Sequence, residues 1–255
     1  MHVVDQSFKP RTESSSKRND LLDLMIEAVD GHLEDAEEQD LHASDQFEKG
    51  AKLIGHVKKQ NLSYDDVVST AMFLLSAGYD TTGTGLSWIL YDLAMNPNCH
   101  DTLYDEIKDA GKDSSQLYYE TLQTLPYLDA VIHESLRRYT PIAWLERVCT
   151  KDYKVPASNI TIRKGDIVRA SNAVVFFDPD TFSNPLEYNP DNFSKAYSSD
   201  RNPYSFLTFS LSPRNCIGMR CSMIEMKVCI SSLASKFCFF LAINYKIRRF
   251  RLRPN

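Results

Sequence analysis

The chain has 255 residues, enough for one large or two small domains, and its 43% hydrophobic and 25% charged content is that of an ordinary globular protein. Only nine glycines are present, which excludes a collagen-like chain, and a net charge of −5 argues against nucleic acid as the main partner. The charge is uneven: residues 1–50 hold thirteen Asp/Glu against five Lys/Arg, whereas 246–253 (KIRRFRLR) hold five basic residues and no acid.

In chain order, residues 1–20 are linker-like, with 9–20 rich in Ser, Arg, Lys and Asp. LLDLMIEAV (21–29) reads as a short amphipathic helix, followed by an acidic loop and a second helical piece, FEKGAKLIGHVKKQ. Ser63-Tyr-Asp-Asp66 resembles a capping box ahead of a long apolar-periodic helix, 63–95. The centre of that helix, Ala77 to Gly85, contains three glycines and three threonines. Each costs about 0.5–1 kcal/mol relative to alanine, so this stretch either kinks, receives a ligand against its backbone, or separates two helices.

Pro97 opens another helix to about Ala110, and 126–139 (PYLDAVIHESLRRY) is strongly amphipathic with Pro126 in its first turn. Beyond Pro141, VPASNITIRKGDIVRASN reads as short strands turning at Lys164-Gly165-Asp166. Residues 178–205 are crowded with Pro, Asn, Asp and Ser, and a structureless stretch of that length is usually functional. A last helix is expected from near Cys216 to about Phe240, within a loop-and-helix unit spanning 209–240. The alternating basic tail reads as an edge strand. The fold class is mainly α with a small β-sheet.

The cysteines at 99, 149, 216, 221, 229 and 238 form no C-x-x-C pair and follow no secretory signal. A disulfide framework and a zinc finger are therefore unsupported, and reduced thiols on a cytosol-facing protein fit best. Neither the polar N-terminus nor the serine-broken segment 228–243 reads as a membrane anchor.

Four features stand in order: Asp80-Thr81 in the weakened helix, Glu134-x-x-Arg137, the Pro/Asn/Asp meander, and Phe209-S-L-S-P-R-N-C-I-G218. Each alone has an ordinary explanation. Glu134 and Arg137 share a helix face and can pair, Cys216 could be a small buried hydrophobe, and Asp-Thr could bond its own backbone. Together, with AGYDTT (77–82), YLDAVIHESLRRYTPIAWLERVC (127–149) and SPRNCIGMR (212–220), they closely resemble the cytochrome P450 superfamily. The similarity is to its microsomal branch of drug- and steroid-oxidising family-three enzymes and thromboxane synthase, over the C-terminal half of that fold.

The resemblance implies haem b (iron protoporphyrin IX) as cofactor. Cys216 would be the thiolate ligand of the iron, just ahead of a helix whose N-terminal N–H groups favour an anion. Gly218 would let that helix lie against the porphyrin, and Arg214 and Arg147 would face the propionates. On the distal side Asp80 and Thr81 would relay protons, with Ala77 and Gly78 leaving room for dioxygen. Glu134 and Arg137 would lock their helix to the meander, and Ile142, Ala143 and Trp144 would line the substrate pocket.

The implied activity is a monooxygenase that inserts one atom of O2 into a lipophilic small molecule. The implied partners are NADPH–cytochrome P450 reductase and, for some members, cytochrome b5, at the cytosolic face of the endoplasmic reticulum membrane. The chain also departs from the family. Asn192 stands where the family's meander has an arginine, and Ser210 and Ser212 stand where it has glycines. These departures and the short length leave open two alternatives, an inactive or merely haem-binding fragment and a helical interaction protein without haem.

Overall fold

The computed structural model describes residues 63–111, 119–198, 201–211, 214–241 and 251–252. The expected linker, the helices at 21–29 and 47–60, and most of the basic tail lie outside the described residues. The chain divides between Thr81 and Thr82 into two compact units, and a single helix, α1 (Tyr64–Met95), runs through the division unbroken. Its start is a reciprocal cap. The Ser63 hydroxyl accepts from the Asp66 N–H at 3.2 Å, and the Asp66 carboxylate accepts from the Ser63 N–H at 3.0 Å. The three glycines do not end the helix, and the two-helix alternative is therefore not the one adopted.

In the unit from Thr82 onward, α1 is followed by α2 (Pro97–Ala110), α3 (Tyr119–Gln123) and α4 (Pro126–Arg138). α4 is the centre of this unit, with Leu128, Ala130, Val131, Ile132 and Leu136 all buried. Its N-terminus has no cap of its own, and α2 supplies one. Glu106 Oε1 and Oε2 accept from the backbone N–H groups of Tyr127 and Leu128, both at 2.8 Å. A carboxylate there complements the helix dipole as well as satisfying two orphan donors. At the other end of α4, Tyr139 stacks on Trp88 of α1 with ring centroids 4.0 Å apart.

Two antiparallel ribbons follow. β1 (Trp144–Val148) pairs with β4 (Ile167–Ser171), Trp144 facing Ser171 and Val148 facing Ile167, while β2 (Tyr153–Lys154) pairs with β3 (Thr161–Ile162). Gly165, at φ +96°, makes the turn into β4, a conformation that suits glycine. Cross-strand Glu146 and Arg169 form an ion pair on the exposed face. A short helix, α5 (Asn172–Phe176), was not legible in the sequence pattern.

The stretch after it contains 3-10 turns at Pro190–Phe193 and Pro203–Ser205 and one turn of helix, α6 (Lys195–Ser198). It leads to α7 (Met219–Ala234), which buries Met226, Lys227, Ile230, Ser231 and Ala234. Lys227 Nζ pairs with Asp129 of α4 at 2.8 Å. α7 starts at Met219 and stops at Ala234 instead of running from Cys216 to Phe240. The hydroxyls of Ser231 and Ser235 donate to the backbone carbonyls of Val228 and Ser232, and Phe237–Cys238 leaves as strand β5 to pair with β6 (Arg251–Leu252). All six cysteines are free thiols.

One buried carboxylate is poorly provided for. Asp92 on α1 is fully buried, with Oδ1 accepting from Arg138 Nη1 at 2.7 Å and Oδ2 lacking a hydrogen-bond partner among the described residues. Burial pushes its pKa up to about 6, outweighing the opposing pull of Ser135 and Arg138. An unfolded aspartate titrates near pH 4, so between these values the folded state binds more protons than the unfolded one. The contribution to stability is thus complete below about pH 4 and is lost as pH rises through about 6. Asp92→Asn is expected to gain on the order of 2 kcal/mol relative to wild type between pH 4 and pH 7. Urea midpoints across that range measure it, and a difference that does not vary with pH would contradict this assignment.

Candidate functional site

Cys216 lies in the loop that joins the meander to α7. The loop closes on itself where the Cys216 N–H donates to the Phe209 carbonyl at 2.9 Å, and a last turn forms as the Met219 N–H meets the Cys216 carbonyl at 3.4 Å. Cys216 and Ile217 are both exposed, and among the described residues the Cys216 Sγ makes no hydrogen bond. Gly218 begins α7 at an ordinary φ of −91°, and a Cβ added there would meet no described atom within 4 Å. Neither backbone conformation nor packing among the described residues requires glycine at that position. Arg214 is exposed two residues before the cysteine.

Ser210 adopts φ +60°, the left-handed region that costs a non-glycine residue about 1–2 kcal/mol. Its N–H donates to the Leu207 carbonyl at 2.9 Å, so the turn is held by a hydrogen bond despite the serine. Ser212 lies outside the described residues.

In the first unit, the Thr81 hydroxyl donates to the Ala77 carbonyl one turn back, at 2.6 Å, and Asp80 is exposed. A hydroxyl used this way keeps its lone pairs free to accept, and such back-bonding tends to bend a helix. A Cβ at Gly78 would meet nothing within 4 Å among the described residues. In the second unit, Thr82 is buried and shares a 3.1 Å hydrogen bond with Ser222 of α7. Gly85 differs from the other glycines of α1. A Cβ there would lie 3.3 Å from both Leu136 Cδ2 and Met226 Sδ, so this glycine is set by packing.

Ile142, Ala143 and Trp144 are exposed at the start of β1. They are held by Asn172, a buried residue that sequence reasoning missed. Its Nδ2 donates to the Ile142 carbonyl at 2.7 Å and its N–H to the Ala143 carbonyl at 3.0 Å. Arg147 projects from β1, with Nη1 donating to the adjacent Glu146 carbonyl at 2.7 Å.

Glu134 and Arg137 are both fully buried and form a bidentate pair with two 2.7 Å bonds. The guanidinium spends its remaining donors on the carbonyls of Phe176, Pro185 and Glu187, at 2.7, 3.0 and 3.3 Å. Glu134 Oε1 also accepts from the Asn189 N–H at 3.0 Å and from Asn192 Nδ2 at 3.3 Å. The amide at position 192 therefore reaches the carboxylate, though as a neutral single donor.

Similarity to known proteins places the chain in a family. The cytochrome P450 family model matches residues 2–246. Among curated proteins, the chain is 33% identical over 228 residues to cytochrome P450 3A29 of Sus scrofa, covering 89% of this chain and 41% of that protein. It is 30% identical over 236 residues to cytochrome P450 6B7 of Helicoverpa armigera, covering 92% and 44%. It is also 32% identical over 241 residues to probable cytochrome P450 6a14 of Drosophila melanogaster, covering 94% and 45%. The chain belongs to the cytochrome P450 family, and it spans a little under half the length of these relatives. Haem b is the cofactor of that family. The exposed thiol of Cys216, the exposed Ile217 beside it and the open space at Gly218 form a donor and an apolar surface that fit such a group.

Two stability outcomes follow from this geometry. Glu134→Gln keeps the shape but leaves Arg137 buried without a counter-charge, and an unfolding free energy lower by about 3–5 kcal/mol is expected in urea titrations. Ser210→Gly relieves about 1–2 kcal/mol of backbone strain against an added unfolded-state entropy of about 0.5–1 kcal/mol. A net gain of up to about 1 kcal/mol in the same assay is expected, with Ser210→Ala giving none.

Proposed function

We propose that this chain is the haem-ligating part of a monooxygenase that inserts one atom of O2 into a lipophilic small molecule, with Cys216 as the thiolate ligand. The observation that carries this is the exposed Cys216 thiol in the loop that opens α7, in a chain that the cytochrome P450 family model matches over residues 2–246. Haem b, when bound, supplies the redox-active iron at which dioxygen is activated.

The chain's own residues take the following parts. Cys216 offers an exposed sulfur that needs no folding change to become accessible. Gly218 keeps the start of α7 flat enough for a planar group, and Arg214 and Arg147 offer cations for its carboxylates. Thr81, whose proton is committed to the Ala77 carbonyl, accepts a hydrogen bond from water at its free lone pairs and so positions that water. Asp80, exposed on the same turn, exchanges protons with solvent. Ile142, Ala143 and Trp144 present apolar surface to substrate. Electrons come from NADPH–cytochrome P450 reductase, with cytochrome b5 as a second donor, at the cytosolic face of the endoplasmic reticulum. Among the described residues no helix is long and apolar enough to cross a membrane.

The test is spectroscopic. The chain is expressed with haem supplied, reduced and exposed to carbon monoxide. A red-shifted Soret band typical of thiolate-ligated haem is expected, and Cys216→Ala is expected to abolish it. No haem uptake by the wild-type chain would overturn the proposal. Bound haem without turnover, given reductase, NADPH and lipophilic test substrates, would instead support the inactive-fragment alternative.

A further inference from the structure

The buried pair of Glu134 and Arg137 is approached by a second guanidinium from an unexpected place. Arg201 is half-buried, and its Nη2 donates to the Asn192 carbonyl. Its Cζ lies 4.4 Å from the Phe182 ring centroid and 5.2 Å from that of Phe193. The Phe182 ring also carries Arg137, whose Cζ is 5.0 Å from the same centroid. One aromatic ring thus joins two guanidinium groups, and one of them grips the residue whose amide bonds Glu134.

We propose that Arg201 is a positioning residue that supplies the cation missing from position 192, so that one role is divided between two side chains. Asn192 provides the hydrogen bond to Glu134, and Arg201 provides the charge and holds the Pro190–Phe193 turn by its backbone and its ring. The charge balance agrees: one carboxylate and two guanidinium groups stand together, as they would with an arginine at 192. The Arg201 pKa is lowered by burial first, and the Glu134 charge acts against that loss. An arginine that merely covered the surface would keep its guanidinium in water and would gain little from a carboxylate in the core.

Nothing here requires haem, so the inference goes beyond the proposed function and can fail separately from it. The experiment is a double-mutant cycle in the full chain, read by far-UV ellipticity in urea. Arg201→Ala is expected to lower the urea midpoint by about 0.5–1 M. Asn192→Arg alone is expected to change it little. The double variant Asn192→Arg/Arg201→Ala is expected to recover at least half of the loss, because the new arginine restores the cation. Arg201→Lys, which keeps the charge but lacks the flat fork, is expected to recover less than that.

A wild-type midpoint in Arg201→Ala, or a double variant no better than the sum of its parts, would overturn the assignment. If Arg201→Ala is insoluble, soluble yield replaces the midpoint. Recovery of soluble protein in the double variant then supports the proposal, and failure to recover it while Asn192→Arg alone is soluble overturns it.

Discussion

The part of the structure from Thr82 onward depends on a fully buried charge pair. Taking Glu134 and Arg137 out of solvent costs several kcal/mol per ion, and their mutual attraction offsets this only if the remaining hydrogen-bonding capacity is filled. Here it is. The five N–H donors of Arg137 go to two carboxylate oxygens and three backbone carbonyls. The carbonyls of Pro185 and Glu187 belong to irregular chain, and that of Phe176 ends α5. An irregular segment must satisfy its buried backbone groups somewhere, and two of these carbonyls do so on this guanidinium. The meander is therefore shaped by α4, and the loop that bears Cys216 follows directly from the meander.

A second buried ion pair lies nearby with a different outcome. Asp92 and Arg138 meet at 2.7 Å, but Asp92 Oδ2 has no described partner, and Arg138 is partly in solvent. Burial raises the Asp92 pKa to about 6, and the Ser135 hydrogen bond and the Arg138 charge only partly oppose it. The contrast separates two uses of a buried charge. A fully satisfied pair fixes geometry in every direction, whereas a half-satisfied one ties α1 to α4 but leaves that joint sensitive to pH. Trp88 stacked on Tyr139 reinforces the same joint by contacts that do not titrate.

Much of the architecture was legible because it rests on local rules. The mainly helical class with a small sheet follows from periodicity, and the Ser63–Asp66 cap was visible as a four-residue pattern. Arg137 was legible as a partner for Glu134, since three residues along a helix set the distance. Its burial was not, because the carbonyls that make burial tolerable lie some forty to fifty positions away. The β1–β4 ribbon was missed for a related reason. Trp144–Val148 shows no clean alternation, and its pairing depends on a partner beyond an intervening hairpin. Asn172 and Arg201 were overlooked because each acts through the backbone of a distant residue, and such a bond leaves no periodic trace.

The glycines carry the argument one step further. In sequence, Gly78, Gly83 and Gly85 form one weak patch in a long helix. In three dimensions they separate into two kinds. Gly85 is required by the chain itself, since a Cβ would press on Leu136 and Met226 at 3.3 Å. Gly78 and Gly83, and Gly218 at the head of α7, meet no described atom within 4 Å, and none has a backbone angle that calls for glycine. An alanine at any of these three would cost the described structure nothing sterically and would favour a helix by up to about 1 kcal/mol at the two helical positions. Keeping glycine there is unfavourable for the isolated fold. Among the described residues these three positions leave the backbone bare, and Gly218 lies two residues from the exposed thiol of Cys216.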